Sequence, residues 1–257
     1  MTFRLRHMLS LTLAIAMLAA VFWYSDFQLL AAKLHRVDVP VLLLLVLSYL
    51  LTVWLRAARF RLLLEPGARI RDWYRLTALH NFFFTFIPFK LGEASFLPLA
   101  RKRSVPMAES GSALLLCRVF EFAVLSCIGL GGALSLGLAT PIVPVVLLVL
   151  IFGSFAVQFD RLAGWAARAC TLLYYRTSWA WVGRLADAFN ASRAWFVEHK
   201  QDRRQLLGLT ILLCLLAGLS VYFSFRALGV DLALGGVLFL YAGLSFFGAL
   251  GFATIAG

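Results

Sequence analysis

Acidic residues are scarce in this chain. Asp and Glu number 12 against 24 Lys and Arg, and charged residues of both signs make up only 14% of 257 positions. So little charge cannot cover the surface of a water-soluble domain of this size, which excludes that class. No polar or Pro/Ser-rich stretch interrupts the chain, so residues 1–257 read as a single domain with no linker. Cysteine is sparse too. Cys117, Cys127, Cys170 and Cys214 lie in or beside apolar segments without metal-type spacing and read as buried thiols. His7, His35, His80 and His199 are scattered, and His80 is expected to be a packed or interfacial side chain. A nucleotide-binding Gly loop, a Ser-His-Asp set and a His-rich metal cluster are all missing. The reading therefore assigns no catalytic residue, no metal and no cofactor, and takes the chain as a non-enzyme.

What is present is apolar. Hydrophobic residues make up 62% of the sequence, and the mean hydropathy is +0.89. The solvent for such a chain is lipid, and the expected fold is an all-α, polytopic membrane helix bundle. Candidate spans fall at about 8–24, 39–55, 112–140, 141–159, 206–228 and 236–257. The first follows Arg4 and Arg6 as a signal peptide would, but no small-residue cleavage site follows it and further spans do, so it is read as an anchor.

The stretch 76–89 is different. It is apolar for fourteen residues, contains Pro88, and is followed at once by Lys90, Gly92 and Glu93. A span needs roughly 20 apolar residues, and shorter runs are more often re-entrant or interfacial. We expect a re-entrant segment over about 76–99, broken at Pro88 and Gly92. The charge distribution agrees. With the amino terminus cytoplasmic and this segment entering and leaving on one side, residues 1–7, 56–75, 90–110 and 160–205 carry +2, +4, +2 and +4. The remainder sums to zero, so the whole net charge of +12 lies inside, as the positive-inside bias requires. This places a multi-pass protein in the cytoplasmic membrane. The basic loops are short and tied to spans, so they answer to topology and anionic headgroups rather than to nucleic acid.

The loop 160–205 is expected to contain an amphipathic helix. Trp181, Leu185, Ala188, Phe189, Ser192, Trp195 and Phe196 share one helical face, with Arg184, Asp187, Asn190 and Glu198 opposite. Either that apolar face lies in the headgroup layer, or the helix packs on the bundle from the cytoplasmic side.

Inside the span 112–140, "CRVFEF" places Arg118 and Glu121 three residues apart on one helix face, where they can pair. Counted from the expected loop, Arg118 is near enough to the surface to snorkel. Glu121 is too short and too deep for that, and ionisable groups at such depth usually face protein or a wet interior. Two readings stay open: a mutual pair that locks the bundle, or a polar site within the membrane.

The order Asn81, Pro88-x-Lys90-x-Gly92-Glu93, a basic loop, then Arg118-x-x-Glu121 resembles the flippase-like family, the transmembrane region of lysylphosphatidylglycerol synthases and its stand-alone relatives. The resemblance runs from about residue 40 to 257. It implies that Lys90, Glu93, Arg118 and Glu121, with Asn81, line a path for a lipid headgroup. The family's second motif, a Pro followed by a Gly-rich turn and a Glu, has as its counterpart only Gly251–Gly257, without Pro or Glu.

"FFTFIPFKLG" from Phe83 and "FFGALGFATI" from Phe246 also share a spacing of Phe, aliphatic and Pro or Gly positions. They predict two inverted halves, with breaks at Pro88 and Gly251 facing one cavity. The function expected from the sequence is binding or translocation of an anionic phospho- or polyprenyl-phosphate lipid. One alternative is a non-transporting membrane subunit supporting a lipid or envelope-biosynthesis enzyme. Another is a polyprenyl-linked glycosyltransferase using Asp26 and Asp38. The partners expected are an anionic lipid, and a second copy of the chain or an envelope-biosynthesis enzyme.

Overall fold

The structure, a computed structural model, describes Trp23 and residues 39–86, 88–137 and 142–256, with side chains for 39–85, 92–137, 145–154 and 158–246. The expected span 8–24, Trp23 apart, and the loop bearing Asp26 and Asp38 lie outside the described residues.

All described elements are helical. They are α1 (Val39–Leu64), α2 (Ile70–Phe86), a 3-10 helix (Pro88–Ser95), α3 (Phe96–Arg101), α4 (Met107–Ser135), α5 (Ile142–Val157), α6 (Phe159–Thr177), α7 (Ala180–Glu198), α8 (Lys200–Ala227) and α9 (Leu234–Ala256). Among the described residues α1, α4 and α8 are long and apolar enough to cross a membrane. Helix α1 does not stop at the first arginine, as its apolar run alone implies. Arg56, Arg59 and Arg61 are good helix formers, and nothing breaks the helix before Pro66 and Gly67.

Helix α2 ends at Phe86, next to Pro88, whose missing N–H and bulky ring do not fit a helix interior. The chain continues as an eight-residue 3-10 helix, longer than the three or four residues usual for that geometry. It folds back along α2. Gly92 lies against the backbone of Phe83 and Phe84, Ser95 Oγ is 3.1 Å from His80 Nδ1, and Arg103 reaches Asp72 at 3.8 Å. Residues 70–104 thus leave one end of the bundle and return to it. Glu65 ties that end together: its Oε2 accepts from Trp73 Nε1 at 3.1 Å and from Arg103 Nη2 at 3.2 Å. His80 itself is buried, edge-on to Phe96 at 5.4 Å between ring centres.

Two apolar clusters fill the molecule. One, at the end closed by Glu65 and Arg103, gathers Trp73, Phe96, Val105, Leu116, Phe196 and Leu206. The other, deeper, joins Leu55, Val124, Leu125, Leu213 and Cys214. In lipid there is no hydrophobic drive between spans, so close contact and hydrogen bonds must hold them. Small residues allow the contact: Gly129 faces Ala242, and Gly132 lies against the carbonyl of Gly235. Between α1 and α8, Ser220 Oγ donates to Ser48 Oγ at 2.8 Å.

Two expectations change. Helix α9 runs unbroken through Gly251, so the break expected there, and with it the matched pair of interrupted segments, is absent. A lone glycine costs a helix about 1 kcal/mol relative to alanine but keeps its N–H, whereas Pro88 does not. Helix α9 nonetheless packs on the Pro88–Ser95 segment. The stretch 160–205, expected to contain an amphipathic helix, holds an antiparallel pair, α6 and α7, followed at once by α8. Helix α7 packs on α4, with Ala188 against Gly111, and buries Val182, Ala186, Ala188, Ser192 and Phe196. Trp181 and Leu185, assigned to the apolar face from the sequence, are exposed instead. Small alanines set the buried face here, because they let the two helix backbones approach.

A Cβ at Gly92 would lie 2.3 Å from Phe83 O and 2.5 Å from Phe84 Cα, both backbone atoms that cannot move independently. Gly92→Ala should therefore destabilise the fold by about 1–3 kcal/mol, the usual cost of overpacking. Gly208→Ala, where the added atom meets nothing within 4 Å, should be neutral or slightly stabilising. Thermal unfolding in detergent compares the two, and equal melting temperatures for both variants would contradict the close approach.

Candidate functional site

The site is built where the returning hairpin meets α1 and α4. Along α1, Tyr49, Thr52, Arg56 and Arg59 recur at helical spacing and share a face. Helix α2 adds Asn81 and Thr85, one turn apart. Glu93 comes from the 3-10 helix directly after Gly92, so the close approach of that glycine to α2 also fixes where its carboxylate sits. Helix α4 contributes Arg118 and Glu121.

Four of these side chains form a continuous line of alternating charge. Arg118 makes a forked contact with Glu93, Nη2 to Oε1 at 2.5 Å and Nε to Oε2 at 3.2 Å. Its Nη1 donates to Glu121 Oε2 at 2.6 Å. The other oxygen of Glu121, Oε1, accepts from Arg59 Nη1 at 2.7 Å. Arg59 is 2% exposed and Glu121 9%. At that burial an unpaired charge would cost several kcal/mol, and the shared carboxylate offsets this for both arginines. Forked guanidinium–carboxylate geometry is the strong form of this contact.

Arg56 is arranged differently. Its Nη1 donates to Asn81 Oδ1 at 2.7 Å, and Asn81 Nδ2 in turn donates to Tyr49 Oη at 2.7 Å. Its guanidinium also lies over the Phe84 ring at 5.7 Å. These partners are neutral, and no carboxylate pairs with Arg56 among the described residues. Arg56, Arg59 and Arg118 against Glu93 and Glu121 leave one positive charge in excess, and Arg56 carries it.

Beside this network is a cavity of about 460 Å³ between α1, α2, α4, α8 and α9. Arg56, Asn81, Arg118 and Glu121 form its polar wall, Ser220, Tyr241 and Ser245 add hydroxyls, and Phe84, Phe122 and Leu213 are among its apolar lining. Tyr49 and Leu244, both on its wall, are 50% and 69% exposed, so it opens sideways at the surface of the bundle. A mostly apolar hollow with a few convergent polar groups is the usual form of a small-ligand site. Its depth follows from the helices. Arg56 is eight residues from the end of α1 and Arg118 eleven from the start of α4, or roughly 12 and 16 Å at 1.5 Å per residue.

The structure brings together Asn81, Glu93, Arg118 and Glu121 of the residues singled out from the sequence. The Lys90 side chain lies outside the described residues. Gly251 sits in unbroken helix. The helix bearing Arg118 begins at Met107 rather than 112, and the Arg118 guanidinium is held by two carboxylates, Glu93 and Glu121. Arg56, Arg59 and Tyr49 were missed. Arg56-Ala-Ala-Arg59 was counted into a basic surface loop, yet the apolar run resumes directly in Phe60 and Leu62–Leu64. Two arginines three apart within a run that continues past them were the available signal.

Because Glu121 serves two arginines, Glu121→Leu should be the most damaging single change in the network, lowering stability by about 3 kcal/mol or more. Arg118→Leu should cost less, since Glu121 keeps Arg59. The pair Arg118→Leu/Glu121→Leu should stay unstable until Arg59→Leu is added as well. Thermal unfolding of the four variants in detergent gives this order, and a stable Arg118→Leu/Glu121→Leu protein would contradict the role given to Arg59.

Over residues 8–257 the chain matches the family model of the lysylphosphatidylglycerol synthase TM region. No curated protein and no solved structure matches it. The matched range contains every residue of the site, and its spans are those of a multi-pass, all-α membrane protein. The chain belongs to the lysylphosphatidylglycerol synthase transmembrane-region family.

Proposed function

We propose that the chain binds the anionic headgroup of a membrane lipid in the cavity beside Arg56 and carries that headgroup between leaflets. The observation behind this reading is the unbalanced charge of Arg56 on the wall of a sideways-open cavity at membrane depth. A guanidinium held by a neutral amide keeps donors and charge available to a phosphate, and Arg is well suited to that contact. Asn81, Tyr49 and Thr85 hold or extend the polar edge around it. Arg118, already forked to Glu93 and bonded to Glu121, acts as part of the frame. The apolar lining suits the glycerol and upper chains of the same lipid, so entry needs no passage through water.

In the same reading the closed end bearing Glu65, Asp72 and Arg103 faces the cytoplasm of a cytoplasmic membrane, with the hairpin 70–104 dipping into the bilayer from that side. The basic segments after α1, around 101–103 and along α6 and α7 then lie inside, as the positive-inside bias asks. Backbone that is not α-helical, as in Pro88–Ser95, is tolerated at that depth only against protein or a wet cavity, and here it packs on α2 and α9.

Arg56→Gln should leave the fold intact, since no described carboxylate is ion-paired with Arg56, but should weaken binding of anionic lipid about tenfold or more. That corresponds to the loss of one hydrogen bond to a charged group. Arg69→Gln, exposed at the far loop, should leave binding unchanged. Native mass spectrometry of each protein with added phosphatidylglycerol measures this, and wild-type affinity in a folded Arg56→Gln protein would end the assignment. For topology, single cysteines at 103 and 190, in a background lacking the native four, should react only from the cytoplasmic side. One at 230 should react only from the other. External labelling at 103 would make the hairpin a full span.

A further inference from the structure

Helix α7 and the bundle bury one side of α6, through Ala163, Gly164 and Ala167. The other side is a stripe that nothing in the structure covers. Arg161, Trp165, Arg168, Leu172 and Tyr175 recur every three or four residues and are all exposed, Trp165 at 73%, Leu172 at 68% and Tyr175 at 78%. At the α6–α7 turn the stripe widens into Trp179 and Trp181, stacked at 5.9 Å and both exposed, with Arg176 and Arg184 beside them. From Arg161 to Ala186 the sequence has four arginines and no acidic residue.

The direction of α6 matters as much as its composition. Helix α5 carries no charge and packs along the span α4, so it lies in the bilayer. The axis of α6 lies at 82° to that of Val145–Ser154 in α5. A helix at right angles to a membrane-embedded neighbour runs along the membrane surface. The shared apolar cluster of Phe159, Phe196, Trp73 and Val105 puts it at the same end of the bundle as Arg103.

We propose that the α6–α7 hairpin is an interfacial anchor, laying its arginine–aromatic stripe into the headgroup layer of the leaflet at that end, with preference for anionic lipid. Indole and phenol rings favour the level between acyl chains and headgroups, and leucine between arginines on one face is the pattern of helices that lie in the interface plane. The unopposed arginines match anionic headgroups in sign. This differs from the face assigned from the sequence alone. Of the two placements the sequence left open for the α7 face, packing on the bundle is the one seen, against α4, and α6 with the turn carries the exposed surface. The inference does not depend on the cavity binding lipid.

Spin labels at 172, 187 and 194, each on a single cysteine in the cysteine-free full chain, test this in nanodiscs of phosphatidylcholine with or without phosphatidylglycerol. The label at 172 should show a several-fold higher ratio of oxygen to nickel-complex accessibility than those at 187 and 194. The ratio should rise further with phosphatidylglycerol. Replacing Arg161, Arg168, Arg176 and Arg184 by Gln should remove that rise while Arg56-dependent lipid binding is retained. A label at 172 as open to aqueous nickel as one at 187 in anionic nanodiscs would overturn the proposal, leaving the stripe for a soluble partner. A rise that persists without the four arginines would overturn the lipid preference.

Discussion

Glu121 is the point on which the interior depends. A carboxylate about 14 residues into a membrane helix is 9% exposed, and its two oxygens answer two arginines from different elements. Arg59 fixes α1 against α4. Arg118, on the same helix as Glu121, is turned toward the hairpin and grips Glu93. One buried anion thus sets the relative position of three segments. Its removal would leave Arg59 buried without a carboxylate and Arg118 with Glu93 alone. Apolar packing alone supplies little specificity here, because lipid tails compete on equal terms with leucine.

The hairpin is shaped to meet that network. Pro88 ends α2 and turns the chain, and the 3-10 helix that follows shows one edge to α2. Gly92 removes the side chain where the two backbones meet, and Glu93, the next residue, reaches Arg118. His80 and Ser95 close the polar contacts on the inner side of the hairpin, while Glu65 and Arg103 tie its ends outside. The Gly-Glu dipeptide therefore does two separate jobs. Its glycine sets a distance and its acid takes an ion pair, and neither can be displaced without the other.

How much of this was readable in the sequence divides along physical lines. Hydropathy located α1, α4 and α8, the described helices long and apolar enough to span, and the interruption at Pro88-x-Lys90-x-Gly92-Glu93 stood out because charge inside an apolar run has to be compensated. Arg118 and Glu121 were visible as a pair through helical spacing. Arg59 was not, since its partner is 62 positions away and an arginine at the end of a greasy run has two readings, a surface anchor or a buried counter-ion. Only the fold tells them apart. Gly251 misled in the opposite direction: glycine permits a break without imposing one. In α7 the face read from the sequence held Ala188, Ser192 and Phe196, which are buried, but took Trp181 and Leu185 where Val182 and Ala186 turn inward.

The balance of charge bears on what the proposed site is able to do. A pocket lined by three bare arginines would hold a phosphate too firmly to release it into the opposite leaflet. The two carboxylates cancel two of those charges, each already occupied by a guanidinium, Glu121 on the cavity wall and Glu93 behind Arg118. What remains is a single positive charge on Arg56, steadied by a neutral amide and a phenol. A site of that strength draws an anionic headgroup out of the interface yet leaves it free to go on, the same compromise between entry and exit that governs conduction through ion channels. Under the proposed reading, then, the two glutamates are what makes the site passable. They hold Arg118 and Arg59 as structure, so that among the described side chains Arg56 is the cation left to act on the ligand.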